Sequence, residues 1–258
     1  MSEVIRGVID KSTAQAICDA VKEKEGSTEG VPFNTVADRI RALSVGGGEN
    51  KLNQLVDGSL TEITAEDLEG ATKIDDYAFY NRTKLTSVTI PDSVTSIGIY
   101  AFNQCTSLKS VTIPDGVTSI GSDAFRKCSE LISVKCPDNC TNLGINTFYE
   151  CKKLTSVTLP NGITGLWNHT FYGCIALISI IIPNSVTEIN NFVFGACESL
   201  KSVAIGNGIT SIQRNVFSGC SALTDIYIDA PEDSISGAPW GAPNSPTVHW
   251  NTPLPTEE

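Results

Sequence analysis

LTSVTIPDSVTSIGIYAF (85–102) is followed 23 residues later by LKSVTIPDGVTSIGSDAF (108–125). Read in columns of that width, the chain carries Phe79, Phe102, Phe125, Phe148, Phe171, Phe194 and Phe217 at even spacing, with nothing inserted. A fixed period in this range marks a stacked repeat, because one such unit cannot bury its own apolar side. Other columns keep the same phase. Three residues after the Phe come Cys105, Cys128, Cys151, Cys174, Cys197 and Cys220, with Arg82 in the first copy. Six after it comes Leu85, then its equivalents to Leu223. Nine after it comes Val88 to Ile226, and eleven after it Ile90 to Ile228, with Cys136 in the third copy. Pro91, Pro114, Pro137, Pro160 and Pro183 follow, and two further apolar columns run from Val94 to Ile209 and from Ile97 to Ile212.

The V-x-I pair alternates inward and outward, which is a short half-buried strand. The proline ends it, having no N–H for a ladder. Asp92-Ser93, Asp115-Gly116 and Asn161-Gly162 supply turn chemistry. V-x-x-I carries the chain across a second side. The segment A-F-x-x-C-x-x-L has a spacing close to that of a helical turn. With strands about 4.8 Å apart, seven coils give a rod roughly 34 Å long.

These residues resemble the BspA-like leucine-rich-repeat family, with looser copies to residue 228. The resemblance implies a right-handed solenoid whose parallel strands line one face. It implies a surface adhesin or binding protein, of the kind found in bacteria, protists and phages. The family has no shared catalytic residues to carry over. The expected fold is therefore mostly β, about seven coils of 23 residues, with a small α-helical module at the N-terminus.

That module is read over residues 1–45. Ser12-Thr13-Ala14-Gln15 fits a capping box, and Ala16, Ile17, Ala20 and Val21 follow helical spacing. Asn34 suits the cap of a second helix carrying Val36, Ala37, Ile40 and Leu43. The stretches TAQAICDAVKEKEG (13–26) and VPFNTVADRIRAL (31–43) resemble N-terminal modules of phage tail and virion proteins. Helices this short are marginal alone, so the segment is expected to attach to other virion proteins or to sister chains as a homo-oligomer. Residues 46–51 read as a glycine-rich linker, 52–230 as the solenoid with a degenerate cap, and 231–258 as a C-terminal cap and tail. Thr247 to Trp250 is expected to pair as a last strand, with Trp240 or Trp250 closing the core.

Net charge is −11 and pI about 4.7, which argues against nucleic acid as a partner. No apolar run is long enough to insert in a membrane. The N-terminus lacks a basic start followed by an apolar core, so an export signal is not expected. Nine cysteines invite a metal or disulfide reading. Six lie one per coil, in a line that does not converge on a metal, and they read as small buried hydrophobes. Cys136 and Cys140 read as core substitutions, with a redox or metal pair as the alternative. Cys18 reads as packed. The turn column Asp92, Asp115 and Asp138 reads as turn capping, with stacked calcium ligands as the alternative.

No catalytic motif is present, so no enzyme, cofactor or metal site is expected. Candidate ligand-binding residues are those that depart from the repeat: Tyr149, Trp167, His169, Tyr172 and Phe192 in copies four to six, and Tyr227 on the outward side of a strand. Aromatic residues bring large contact area at small entropic cost. The expectation is an exposed ridge that recognises a host-surface protein or glycan from a virion surface; the alternative is a bacterial cell-surface or extracellular adhesin.

Overall fold

The computed structural model describes Gln54, residues 59–232 and residues 234–255. The helices expected within 1–45, the linker, Cys18 and Leu55 lie outside the described residues.

The chain winds into stacked coils, each with two strands. The first face holds Ser87–Thr89, Ser110–Thr112, Ser133–Lys135, Ser156–Thr158, Ser179–Ile182, Ser202–Ile205 and Asp225–Ile228. Pairing is parallel, and each residue faces its equivalent one period away: Val88 opposite Val111, Val134 opposite Val157, Ile180 opposite Val203. The second face is built from Ser96–Ile97, Ser119–Ile120, Asn142–Leu143, Gly165–Leu166, Glu188–Ile189 and Ser211–Ile212. The register follows from the sequence, since a one-residue slip would turn every Val and Ile out to solvent.

The segment with near-helical spacing forms no helix. It is a run of turns, bonded from coil to coil: Phe79, Phe102 and Phe125 donate to Ala101, Ala124 and Thr147. Left-handed residues stand two positions before and two after the Phe, as at Tyr100 (φ 56°) and Gln104 (φ 61°) or Asn146 (φ 56°) and Glu150 (φ 55°). Such residues interrupt a right-handed helix. An apolar pattern near period 3.6 therefore arises here from a different backbone.

The seven phenylalanines are fully buried. Their rings stack nearly parallel, with centroids 5.2 to 5.8 Å apart. The cysteine column does more than fill space. Each Sγ donates to the carbonyl of the Phe in the preceding coil, at 3.0 to 3.2 Å, from Cys105 on Phe79 to Cys220 on Phe194. The Phe102 carbonyl takes the Cys105 N–H of its own coil (3.1 Å) and the Cys128 thiol of the next (3.2 Å). Burial raises the thiols of Cys128, Cys151, Cys174, Cys197 and Cys220, the last up to about 12, so they stay protonated and able to donate. The eight described cysteines are free. A threonine column ties the second side in the same way, Thr118 Oγ1 on the Thr95 carbonyl (3.2 Å) and Thr210 Oγ1 on that of Thr187 (2.9 Å).

Both ends are closed by chain that departs from the repeat. Leu60, Ile63, Leu68 and Ile74 are buried beneath the first coil, and Glu62–Ile63 pairs with Ser87–Val88. Asp67 accepts the Thr64 N–H (2.7 Å) and hydroxyl (2.9 Å), fixing the turn between them. At the far end Thr247–Trp250 pairs in parallel with Asp225–Ile228, as expected. Trp240 stands one period after Phe217 and is buried (1% exposed). It donates its indole N–H to Ser236 (2.9 Å) and meets Trp250 edge-on at 6.3 Å. The lid thus continues the Phe column, although the last strand pairs one residue short of the period, Asp225 with Thr247.

Candidate functional site

Two columns beside the Phe column carry the departures from the repeat. One lies two residues before the Phe, in the left-handed position: Tyr77, Tyr100, Asp123, Asn146, His169 and Phe192. The other lies one residue after it: Tyr80, Asn103, Arg126, Tyr149 and Tyr172. Stacking places equivalents in register. Tyr149 and Tyr172 lie 5.1 Å apart at 12°, and His169 and Phe192 5.5 Å apart at 2°. His169 meets Tyr172 edge-on at 5.5 Å and Tyr149 at 6.3 Å. Four of the six expected site residues therefore form one patch.

The other two lie elsewhere. Trp167 makes no ring contact with this group among the described residues. Its indole lies beside Gly165, on the second face. Its column otherwise begins Gly98, Gly121, Gly144, each pressed onto the preceding coil. A Cβ on Gly121 would come within 2.7 Å of the Gly98 backbone, and one on Gly144 would collide with Ser122. Trp167 cannot enter that stack, and at this point the ladder of the second face divides, between Asn142–Leu143 and Gly165–Leu166. Tyr227 lies on the strand face, stacked on His249 at 4.5 Å.

The patch extends further than the departures in copies four to six indicate. Tyr77 and Tyr100 stack at 4.8 Å, and Tyr77 and Tyr80 meet at 5.8 Å. These tyrosines occupy the same two columns in the first two copies, and a column-by-column reading finds them. Between the groups Arg126 holds Asp123 (3.1 Å) and lies over the Tyr149 ring, 4.5 Å from its centroid. Asn146 donates to the same Asp123 carboxylate (3.2 Å). The ridge runs from tyrosines through a polar hinge to a second aromatic group.

The rings are half-buried rather than projecting, because they cover one another. The faces of Tyr149 are taken by Arg126 and Tyr172. Tyr172 also covers Gly195, where a Cβ would meet its ring at 2.7 Å. Desolvation raises the Tyr149, Tyr77 and Tyr100 hydroxyls above their usual range. It lowers His169, with Arg126 adding to the effect, and keeps that ring neutral near pH 7. The ridge thus offers ring edges and hydroxyls, with few free ring faces.

Chemistry beyond binding finds little support here. In a depression at the N-terminal cap, lined by Glu66, Glu69, Pro91 and Ser93, the Ser93 hydroxyl donates to the Ala71 carbonyl (2.7 Å) rather than to either glutamate. No cluster of three His, Cys, Asp or Glu that would hold a metal occurs among the described residues. In the turn column Asn184 Oδ1 accepts the N–H of Asn207, its equivalent one coil on (3.0 Å), so this side chain ties neighbouring coils rather than capping its own turn. No described helix is long and apolar enough to cross a membrane.

The family model for the BspA type leucine rich repeat region matches residues 72–174 and 164–238. A crystal structure of a T. pallidum leucine rich repeat protein is 29% identical, with a TM-score of 0.58, covering 64% of this chain and 78% of that one. A leucine rich cell surface protein from Faecalibacterium prausnitzii is 26% identical, with a TM-score of 0.49 over 70% of this chain and 63% of that one. No curated protein matches the chain.

Proposed function

The chain belongs to the BspA-type leucine-rich-repeat family, and from that premise we propose that it is a non-enzymatic binding protein of adhesin type, presented at a bacterial cell surface. The observation that carries this reading is the in-register aromatic group Tyr149, His169, Tyr172 and Phe192. Copies two to four also hold Asn103, Asp123, Arg126 and Asn146 at those columns. The repeat therefore does not require aromatic rings there.

A sugar that stacks on an aromatic residue needs a free ring face, and Tyr149 and Tyr172 have theirs covered. Edges and hydroxyls suit a protein surface, where the electropositive ring edge meets carbonyl and carboxylate oxygens. The reading is therefore a protein receptor rather than a glycan. The family favours the cell-surface reading over the virion one, and no described residue adds support to a virion role.

The test is binding of the labelled chain to candidate host cells, after trypsin or after periodate treatment. Binding lost to trypsin, kept after periodate and weakened about tenfold or more by His169→Ala with Tyr149→Ala supports the proposal. Loss to periodate alone would move the ligand to a glycan. Recovery of the chain from purified phage particles would restore the virion reading. The attachment role proposed for residues 1–45 is tested by deleting them: the solenoid should keep its circular dichroism and lose self-association.

A further inference from the structure

The strand face carries a second surface whose chemistry differs from that of the ridge. Its outward row over the last four strands reads Ile181, Ala204, Tyr227, His249, in parallel register. At the other end the same row reads Thr89 and Thr112. Ile178, just before its strand, is 49% exposed, and Ile181 is 46% exposed. A sheet with one buried face normally turns polar residues outward. Adjacent exposed aliphatic residues on such a face mark an interaction site more often than chance.

Lysines line this face although the chain as a whole is acidic. Net charge is −11, yet Lys109, Lys135 and Lys201 are exposed along the strand side. None of the three has an acidic partner among the described residues. Asp229 lies just past the end of its strand, and the other acids nearby are engaged or marginal. Asp225 accepts from Thr224 Oγ1 (2.8 Å) and from His249 Nε2 (2.8 Å). Glu130 holds Lys153 (2.7 Å). Glu198 stands in the turn that leads into its strand. Unpaired cations flank unpaired aliphatic side chains, in an otherwise acidic protein.

We propose that this face binds an acidic polypeptide segment bearing aliphatic side chains, laid across the strands from Lys135 to His249. Lys135 and Lys201 stand three coils apart and three residues apart along the strand direction, roughly 17 Å in all. An extended segment of about five residues spans that distance. Its carboxylates pair with the two lysines, and its aliphatic side chains cover Ile178 and Ile181 between them. The surface is distinct from the ridge, so the two assignments stand or fall separately.

The probe is a fluorescein-labelled octapeptide of alternating Glu and Leu, titrated with the full chain and followed by anisotropy. Alternating Lys–Leu and Glu–Ser peptides are the comparisons, each at low and at physiological salt. The Glu–Leu peptide should bind best and weaken with salt. Lys135→Glu with Lys201→Glu should weaken it about tenfold or more, and Ile178→Ser with Ile181→Ser by a similar factor. Tyr172→Ala should leave it within about twofold. These substitutions on the strand face lie at exposed positions, and circular dichroism checks that the fold is kept. No binding of the Glu–Leu peptide, equal binding of either comparison peptide, or indifference to the lysine and isoleucine pairs would overturn the proposal. Binding to phosphatidylglycerol vesicles in place of the peptide would assign the face to a membrane and overturn it as well.

Discussion

Phe148 and Tyr149 are adjacent in the chain, and both stack on their equivalents one coil away, Phe148 on Phe171 at 5.5 Å and Tyr149 on Tyr172 at 5.1 Å. The two stacks have different reach. The Phe column runs unbroken through seven coils and is fully buried. The Tyr149 column holds Asn103 and Arg126 in earlier coils and Gly195 and Ser218 in later ones. A uniform backbone repeat makes neighbours of whatever occupies equivalent positions. Inside, a missing ring leaves a cavity, so the column must be filled in every coil. In the Tyr149 column neighbouring side chains close over a smaller residue, as Tyr172 does over Gly195, and the sequence varies.

That contrast has measurable consequences. The largest is in stability. Phe148→Ala should cost about 3 to 5 kcal/mol in a denaturant titration, while Tyr149→Ala should cost about 1 kcal/mol. Equal losses would show that the ridge is core, and the comparison would fail.

The thiol column sharpens the distinction, because it belongs to the inside yet acts as a donor. Cys128→Ala removes a buried volume and leaves the Phe102 carbonyl one donor short. A loss of about 1 to 2 kcal/mol is expected. Peptide mapping after alkylation of the native protein should find the six ladder cysteines unmodified, and unfolding should expose all of them. Labelling of Cys128 or Cys174 in the folded state would mean that the stack opens.

The ridge is expected to behave in the opposite way. His169→Ala with Tyr149→Ala should weaken receptor binding about tenfold, close to 1.4 kcal/mol, with a small change in melting temperature. Trp167→Ala should change that binding little, because its indole lies on another face. If Trp167 proves decisive, the partner must wrap around the rod.

The smallest effect is that of pH. His169 is held below its ordinary value of 6.5 by desolvation and by Arg126. Below that value the unfolded chain takes up a proton that the folded chain resists. Stability from this group is thus present above about pH 6.5 and is lost as the pH falls through the lower folded value. Melting curves at neutral and mildly acidic pH should differ slightly more for the native chain than for His169→Gln. No difference between the two would show that the ring is free to protonate in its stack.

The sequence by itself determined which residues stack on which. A constant period fixes translation along the rod, so Val88 over Val111 and Tyr149 over Tyr172 follow from counting. It determined both strand positions, the proline stops and the pairing of Thr247 to Trp250, because inward alternation admits one register. Tertiary structure decided how the columns are arranged around the coil. Trp167, His169 and Tyr172 are near neighbours in the chain, yet the left-handed turn at His169 between them sends Trp167 to a different face. It also decided what the cysteines do. Their spacing marks them as small and buried, but only the closed coil places each thiol within 3.2 Å of the preceding Phe carbonyl. A period is a rule in one dimension, and the direction in which a side chain points around the axis depends on the backbone angles between columns.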